Sequence, residues 1–178
     1  APYSRFDHSM GVALIVWHFT GDMAQAMSGL LHDIATPTFA HVVDFLHGDH
    51  MTQESTESAT PAMIRADANL CATLERCALP VAAVEDYHIY PIADNDSPKL
   101  SADRLEYTLG NGVNFGLITW EQAAAYYADL TVGTNEHGET ELVFRHPDIA
   151  RAFAETALQC SKIYISDADR YAMQILAE

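Results

Sequence analysis

The sequence predicts an all-α protein, a helical bundle with one short β-hairpin near residues 130–144. Apolar residues recur at helical spacing over most of the chain, and helix-start signals stand between the apolar runs. The exception is LTVGTNEHGETELVF, where two short β-like runs flank an Asn-Glu-His-Gly turn. These observations favour packing of helix on helix over a sheet-based fold.

Helices in the amino-terminal half are expected from their start signals. One helix is predicted from about Arg5 to Phe19, and a second, opened by Gly21-Asp22, runs to the pair His32-Asp33. Thr36-Pro37 and Thr60-Pro61 each place a capping side chain before a proline, which is typical of a helix start. They predict a third helix with Phe39, Val43 and Leu46 buried, and one continuous fourth helix in which Met63, Leu70, Leu74 and Cys77 follow helical spacing.

Helix-start signals also predict the helices of the carboxy-terminal half. Ser101 is expected to cap a helix that contains ADRLEYTL and ends at Gly110-Asn111-Gly112. Thr119 and Gln122 match a capping box for WEQAAAYYADL. The last two helices are expected to open at His146-Pro147-Asp148, and at Ser166 or Asp167.

Length and composition indicate one domain over residues 1–178, long enough to bury a single core. The three cysteines, Cys71, Cys77 and Cys160, form no CxxC pair and lie in apolar patterns, which favours a reducing cytoplasm. No apolar run approaches the roughly 18 residues of a membrane span, and the start lacks a secretory signal. We therefore expect a soluble cytoplasmic protein that does not associate with membranes.

The charge of the chain restricts its ligands. Nine basic residues against 25 acidic ones give a net charge of -16, which repels nucleic acid and anionic membrane surfaces. We expect a small molecule as partner and no nucleic acid. The charge of a phosphate ligand would have to be met locally, by a metal ion and a few arginines.

The stretch SGLLHDIATP ends an apolar helix run with His32 next to Asp33. Leu30, Leu31 and Ile34 surround this pair with residues that belong in a core, where an imidazole and a carboxylate are costly to bury without a partner. A metal ion is one such partner. Spacing alone leaves open the alternative of a capped helix end whose polar side chains lie in water.

Four residues are candidate metal ligands: His8, His32, Asp33 and Asp103. Imidazole and carboxylate ligands suit one divalent ion such as Mn, Fe, Co, Ni, Zn or Mg. Adjacent residues on a helix point about 100° apart. His32 and Asp33 can therefore bind the same ion only if that ion lies beyond the helix end and neighbouring helices complete its ligands.

Three segments, SRFDHSMGV, LLHDIATPTFAHVVD and ADRLEYTL, resemble in order and separation the motifs of the HD-domain metal-dependent phosphohydrolases. The resemblance is strongest to the deoxynucleoside triphosphate triphosphohydrolase branch. It covers about residues 4–112, with residues 113–178 as a helical continuation, and implies an all-α bundle that binds a divalent ion. Because related proteins have a helix and loop before this point, we expect both termini to be truncated; a homo-oligomer is expected on the resemblance alone.

Carried over by position, the resemblance makes His8, His32, Asp33 and Asp103 the metal ligands. It implies that His41 or Asp44 orients or deprotonates the attacking water, because residues three apart on a helix share a face. For the substrate it implies three contacts: Arg5 and Arg104 to phosphate, and Tyr107 facing the substrate. Asp169 in DADRYA imitates Asp103, which is preferred because Glu106 and Tyr107 complete the motif after it.

The chain departs from the family pattern at three places. Thr36 replaces a histidine, and a helix-capping role is favoured for it over a catalytic one. Gln53-Glu54 replaces a His-Glu pair, so that Glu54 is left to take part of the work of the missing histidine, and the nearby HGDH segment is favoured as a solvated turn. At Gly110-Asn111 no arginine matches the end of the last motif.

These observations predict a metal-dependent phosphohydrolase that acts on a nucleotide or another small phosphate ester or anhydride. The missing histidines motivate an alternative, a non-catalytic HD protein that binds metal and nucleotide as a regulatory subunit. A third interpretation is an acidic helical scaffold without metal.

Overall fold

The structure is a computed structural model that describes residues 3–38, 40, 42 and 59–177. It confirms an all-α fold: the described residues form eight α-helices and one two-stranded antiparallel sheet. The helices are α1 (Arg5–Thr20), α2 (Met23–Leu31), α3 (Thr60–Ala66), α4 (Ala68–Arg76), α5 (Ala102–Asn114), α6 (Trp120–Asp129), α7 (Pro147–Tyr164) and α8 (Asp167–Ala177). Two 3₁₀ turns, Val81–Ala83 and Tyr87–Ile89, lie between α4 and α5, and the strands are β1 (Leu130–Thr134) and β2 (Thr140–Phe144).

The first two helices have the predicted bounds within a residue or two. Ser4 caps α1 in a capping box with Asp7, and the Asp22 carboxylate accepts hydrogen bonds from the first turn of α2. Between them Gly21 takes the left-handed conformation, with φ of 63°. This tight turn folds α2 back onto α1.

The predicted third helix lies largely outside the described residues, although Ala40 and Val42 are helical and buried. The prediction of one continuous fourth helix was wrong. The chain breaks at Asp67, whose backbone is extended and whose carboxylate caps α4 by accepting from the amides of Asn69 and Leu70. An aspartate offers the backbone this alternative partner, so it separates α3 from α4 where apolar spacing alone would continue the helix.

The predicted end of α5 was also wrong. The helix begins at the Ser101 cap as expected, but it continues through Gly110 and Gly112 to Asn114. At Gly112 a Cβ would lie 3.1 Å from side-chain atoms of Ile118 and Thr156. This glycine therefore allows close packing inside the helix and does not end it.

The hairpin and the two helices around it match the sequence prediction. β1 pairs with β2 in antiparallel register, from Leu130 opposite Phe144 to Thr134 opposite Thr140. Thr119 and Gln122 form the expected capping box at the start of α6. His146 precedes the proline that opens α7, and the Ser166 hydroxyl accepts from an amide in the first turn of α8.

The main core lies between α1, α2 and α5 on one side and α6, the hairpin and α7 on the other. Val12, Val16 and Leu105 are fully buried in it. A smaller cluster, Leu31, Ile64, Leu74 and Val84, lies beneath α3 and α4. Among the described helices, none combines the length and apolar character that crossing a bilayer requires.

Candidate metal centre

Three side chains from separate segments converge beside the main core. His8 lies in the second turn of α1, His32 directly follows α2, and Asp103 lies in the first turn of α5. Each of them offers a ligand atom, and these atoms all lie within 4.8 Å of one another. Nε2 of His8 is 3.0 Å from Oδ1 of Asp103, and Nε2 of His32 is 3.7 Å from the same oxygen.

Local structure fixes the ring of His32. Its Nδ1–H donates to the Gly29 carbonyl at 2.7 Å, which leaves Nε2 facing the cluster. The hydroxyl of Thr60 donates to the His32 carbonyl at 3.1 Å, and the ring of Tyr87 lies 4.8 Å away, centroid to centroid. Only 5% of the surface of His32 is exposed, and both its ring Nδ1 and its carbonyl have hydrogen-bond partners.

The ring of His8 is held in the same sense by a side chain. Its Nδ1–H donates to Oε2 of Glu106 at 2.5 Å, and Glu106 also accepts from the hydroxyl of Tyr3. The two imidazoles meet edge to face, with centroids 5.2 Å apart. Both histidines thus bind an acceptor through Nδ1 and turn Nε2 towards Asp103.

The cluster attracts positive charge. Burial opposes protonation of His8, but its hydrogen bonds to Asp103 and Glu106 outweigh that effect and raise the pKa of His8 to about 10. Burial would raise the pKa of Asp103, and the hydrogen bond from His8 with the charge of His32 holds that pKa below its ordinary value. Asp103 therefore stays ionised here, as cation binding requires.

Asp33 lies at the edge of this cluster. Its Oδ2 is 3.8 Å from Nε2 of His32 and 4.0 Å from a guanidinium nitrogen of Arg5, whose side chain is 41% exposed. The hydroxyl of Thr36 donates to its other oxygen at 2.9 Å. Thr36, expected as a helix cap, therefore orients the carboxylate of the His-Asp pair.

The donor set fits a divalent cation. Two imidazole nitrogens and a carboxylate oxygen lie close enough together to bind the same ion, and the group contains no thiol. Each histidine is oriented by a hydrogen bond through its other ring nitrogen. This chemistry is compatible with a divalent metal ion. Ligation by the four predicted residues, with Asp33 as the outermost, stays a prediction.

The other predicted site residues have different positions. Arg104 follows Asp103 on α5, but its guanidinium binds the 94–99 loop: it donates to the Lys99 carbonyl at 2.9 Å and to Asn95, and lies 3.5 Å from Asp94. Tyr107 is half-buried, and burial with the charge of Asp103 raises its pKa.

His41, Asp44 and Glu54 lie outside the described residues, so their predicted roles stay predictions. The rival Asp169 lies at the start of α8, outside the cluster that contains Asp103. Sequence reasoning missed the supporting residues Tyr3, Thr60, Tyr87 and, as a partner of His8, Glu106. The only available signal was the position of Glu106 one helical turn after Asp103.

Comparison with known proteins gives two distant relatives. The chain is 26% identical over 137 residues to the uncharacterized protein YdhJ of Bacillus subtilis, covering 72% of this chain and 39% of that protein. It is 27% identical over 131 residues to the metal-dependent phosphohydrolase cns2 of Cordyceps militaris, covering 71% of this chain and 36% of that protein.

The chain thus spans little more than a third of the length of the curated relatives it matches. No family model matches it, and no solved structure does. The similarity and the cluster agree in one respect: a relative named for metal dependence matches a chain whose described residues bring two histidines and an aspartate together.

Proposed function

We propose that this protein is an HD-type metal-dependent phosphohydrolase that acts on a nucleotide or another small phosphate ester or anhydride. The observation that carries the proposal is the convergence of His8, His32 and Asp103 from three separate segments within 4.8 Å. Similarity to a protein named as a metal-dependent phosphohydrolase supports the general role.

His8, His32, Asp33 and Asp103 would hold one divalent ion. When bound, such an ion supplies Lewis-acid chemistry: it offsets phosphate charge and lowers the pKa of a coordinated water. The histidines contribute through Nε2, since Nδ1 is bonded to Glu106 in one case and to the Gly29 carbonyl in the other. The ring of His32 is buried and that of His8 is largely buried, which limits the access of water from that side of the site.

Arg5 is the best-placed cation for substrate phosphate, because its guanidinium lies beside Asp33 and remains partly exposed. It would orient the phosphate by charge-assisted hydrogen bonds. We assign Arg104 a weaker phosphate role, since its guanidinium is already bonded to the 94–99 loop. His41 or Asp44 would accept the proton of the attacking water, with Glu54 assisting departure of the leaving group and Tyr107 facing the substrate.

One observation favours the alternative of a non-catalytic regulatory protein that binds metal and nucleotide. At the position where the family has a histidine near the reacting phosphate, the hydroxyl of Thr36 donates to Asp33. That arrangement supports the metal ligand and supplies no imidazole for catalysis. The alternative keeps the metal centre and predicts binding without turnover.

The deciding experiment is a phosphate-release screen over ribo- and deoxynucleotides and simple phosphate esters, with Mn²⁺, Co²⁺, Mg²⁺ or Zn²⁺ added. The parent is compared with the His32→Ala, Asp33→Ala double variant and with His18→Ala, a matched control on the far end of α1. Bound metal is measured on the same samples.

Release of phosphate by the parent and the control, absent in the double variant, would support the hydrolase. Metal binding that depends on His32 and Asp33, combined with nucleotide binding and no release, would support the regulatory alternative. Equal and negligible metal in all three proteins would leave the acidic scaffold as the remaining interpretation.

A further inference from the structure

Glu106 contacts the proposed metal centre through Nδ1 of His8, the ring nitrogen that does not face Asp103. Oε2 of Glu106 accepts from Nδ1–H of His8 at 2.5 Å, and the hydroxyl of Tyr3 donates to the same carboxylate oxygen. Both carboxylate and imidazole side chains are 13% exposed. The contact joins α1 to α5 next to the cluster.

Two glycines leave the space that Glu106 and Tyr3 occupy. A Cβ on Gly11 would lie 2.6 Å from Cγ and Oε1 of Glu106, closer than any ordinary contact. A Cβ on Gly110 would lie 2.8 Å from the ring of Tyr3. Backbone positions on both helices therefore accommodate this pair of side chains, which indicates a built arrangement and not an incidental surface contact.

The geometry at His32 shows what such a contact achieves. There the Gly29 carbonyl accepts from Nδ1–H and leaves Nε2 directed at Oδ1 of Asp103. A backbone carbonyl is held by its helix. At His8 the acceptor is a flexible side chain, so it needs a second partner to keep it in place, and the hydroxyl of Tyr3 is that partner.

We infer that Glu106, held by Tyr3, is a positioning residue that fixes the ring of His8 so that Nε2 is presented to a bound divalent ion. The inference rests on the proposed metal centre. Because an acceptor on one imidazole nitrogen sets the tautomer and orientation of the other, loss of the acceptor lowers metal affinity even when all ligands remain. Loss of such outer partners typically weakens metal binding by about 10- to 100-fold.

The test measures Co²⁺ affinity by competition with a chelating dye, together with the visible absorption of bound Co²⁺. Glu106→Ala is expected to weaken Co²⁺ binding about 10- to 100-fold. Glu106→Gln keeps an oxygen that accepts from His8 and is expected to recover part of the loss. Tyr3→Phe, which frees the carboxylate without removing it, is expected to fall between the parent and Glu106→Ala.

Gly11→Ala is the sharpest variant, because it removes no donor or acceptor and acts only by displacing the Glu106 side chain. It is expected to weaken Co²⁺ binding in the same direction as Glu106→Ala. Thermal melting and circular dichroism of each variant show whether it folds. A lower melting temperature with unchanged Co²⁺ affinity would mean that Glu106 merely joins two helices, and would overturn the inference.

A second readout does not need the metal. In metal-free protein, the Nδ1-bound proton of His8 is expected to give a downfield, slowly exchanging NMR signal that Glu106→Ala abolishes and Glu106→Gln shifts. The same signal in parent and Glu106→Ala would overturn the inference. If the parent bound neither Co²⁺ nor Mn²⁺, the proposed function would fail, and this NMR comparison would still decide whether Glu106 fixes the ring.

Discussion

The two ends of α1 each carry a histidine, and the two side chains meet different surroundings. His8 is largely buried between carboxylates and touches the ring of His32. His18 is exposed and lies against the rings of Phe19 and Tyr127, at centroid distances of 4.8 and 5.6 Å, in an open pocket that also includes Arg145. One helix thus supports a polar cluster at one end and an aromatic rim at the other.

The difference comes from what the neighbouring helices bring. At His8, α5 contributes Asp103 and Glu106, and the end of α2 contributes His32. At His18, α6 and the hairpin contribute aromatic and aliphatic side chains. Within the described part of the chain, the group at His8 is the one where three or more metal-ligating side chains converge. Whether a histidine is a candidate metal ligand therefore depends on the side chains that other segments place beside it, and not on its own helix.

The largest expected effect comes from Asp103→Asn, which keeps the shape of the side chain and removes its negative charge. We expect Co²⁺ affinity to fall by more than the roughly 10- to 100-fold that loss of an outer partner causes. Elemental analysis after dialysis should show about one ion per chain in the parent and little in the variant. His18→Ala should retain the parent's metal content; equal losses in both variants would remove the distinction between the two ends of α1.

Metal removal should destabilise the cluster end of the molecule. An ion present at about 100 times its Kd stabilises the folded state by roughly 2.7 kcal/mol, which for a chain of this size raises Tm by about 5–10 °C. Differential scanning fluorimetry with and without Mn²⁺ or Co²⁺ measures the shift. It should survive His18→Ala and disappear in His8→Ala; a shift that persists without His8 would place the ion elsewhere.

Much of the fold could be predicted from local signals. Asp22, Ser101 and Thr119 cap helices as predicted, because a capping side chain binds the backbone of its own first turn. The break at Asp67 could not be predicted, because the apolar spacing around it favours a continuous helix. The continuation of α5 through Gly112 could not be predicted either, because it depends on a tertiary contact with Ile118 and Thr156.

The candidate site divides in the same way. His8, His32 and Asp103 could be proposed together only from the order of three motifs, since no periodicity relates residues so far apart. Their supporting contacts were missed: Tyr87 packs on the ring of His32 from a 3₁₀ turn, and Tyr3 reaches Glu106 across 103 positions of sequence. Such contacts depend on tertiary packing and leave no local pattern.

A smaller effect is expected for Arg104→Gln, which separates the loop role of this arginine from the predicted phosphate role. Its guanidinium bonds to Asn95 and Lys99 are partly exposed, so their loss should cost about 1–2 kcal/mol of unfolding free energy. Chemical denaturation measures this value. Arg151→Gln, a control on the exposed surface of α7, should change stability by less than about 0.5 kcal/mol. Unchanged stability with a raised KM for substrate would instead favour phosphate binding by Arg104.

The smallest expected effect is a pH dependence at the hairpin end, where His146 binds Asp129 through its ring and its backbone amide. The hydrogen bond to Asp129 raises the pKa of His146 above its ordinary 6.5, and the same bond lowers the pKa of Asp129 below its ordinary 3.8. The stabilisation that comes from the histidine is full below pH 6.5 and is lost as pH rises through the raised pKa of the folded state. The stabilisation that comes from the aspartate is full above pH 3.8 and is lost as pH falls through the lowered pKa of the folded state. The Tm difference between the parent and His146→Gln, both free of metal, should therefore be largest between pH 3.8 and pH 6.5 and shrink towards pH 9. Because titration of the His8 cluster is common to both proteins, it cancels in the difference, and a difference that is the same at pH 5.5 and pH 9 would show that the pair stabilises without its charges.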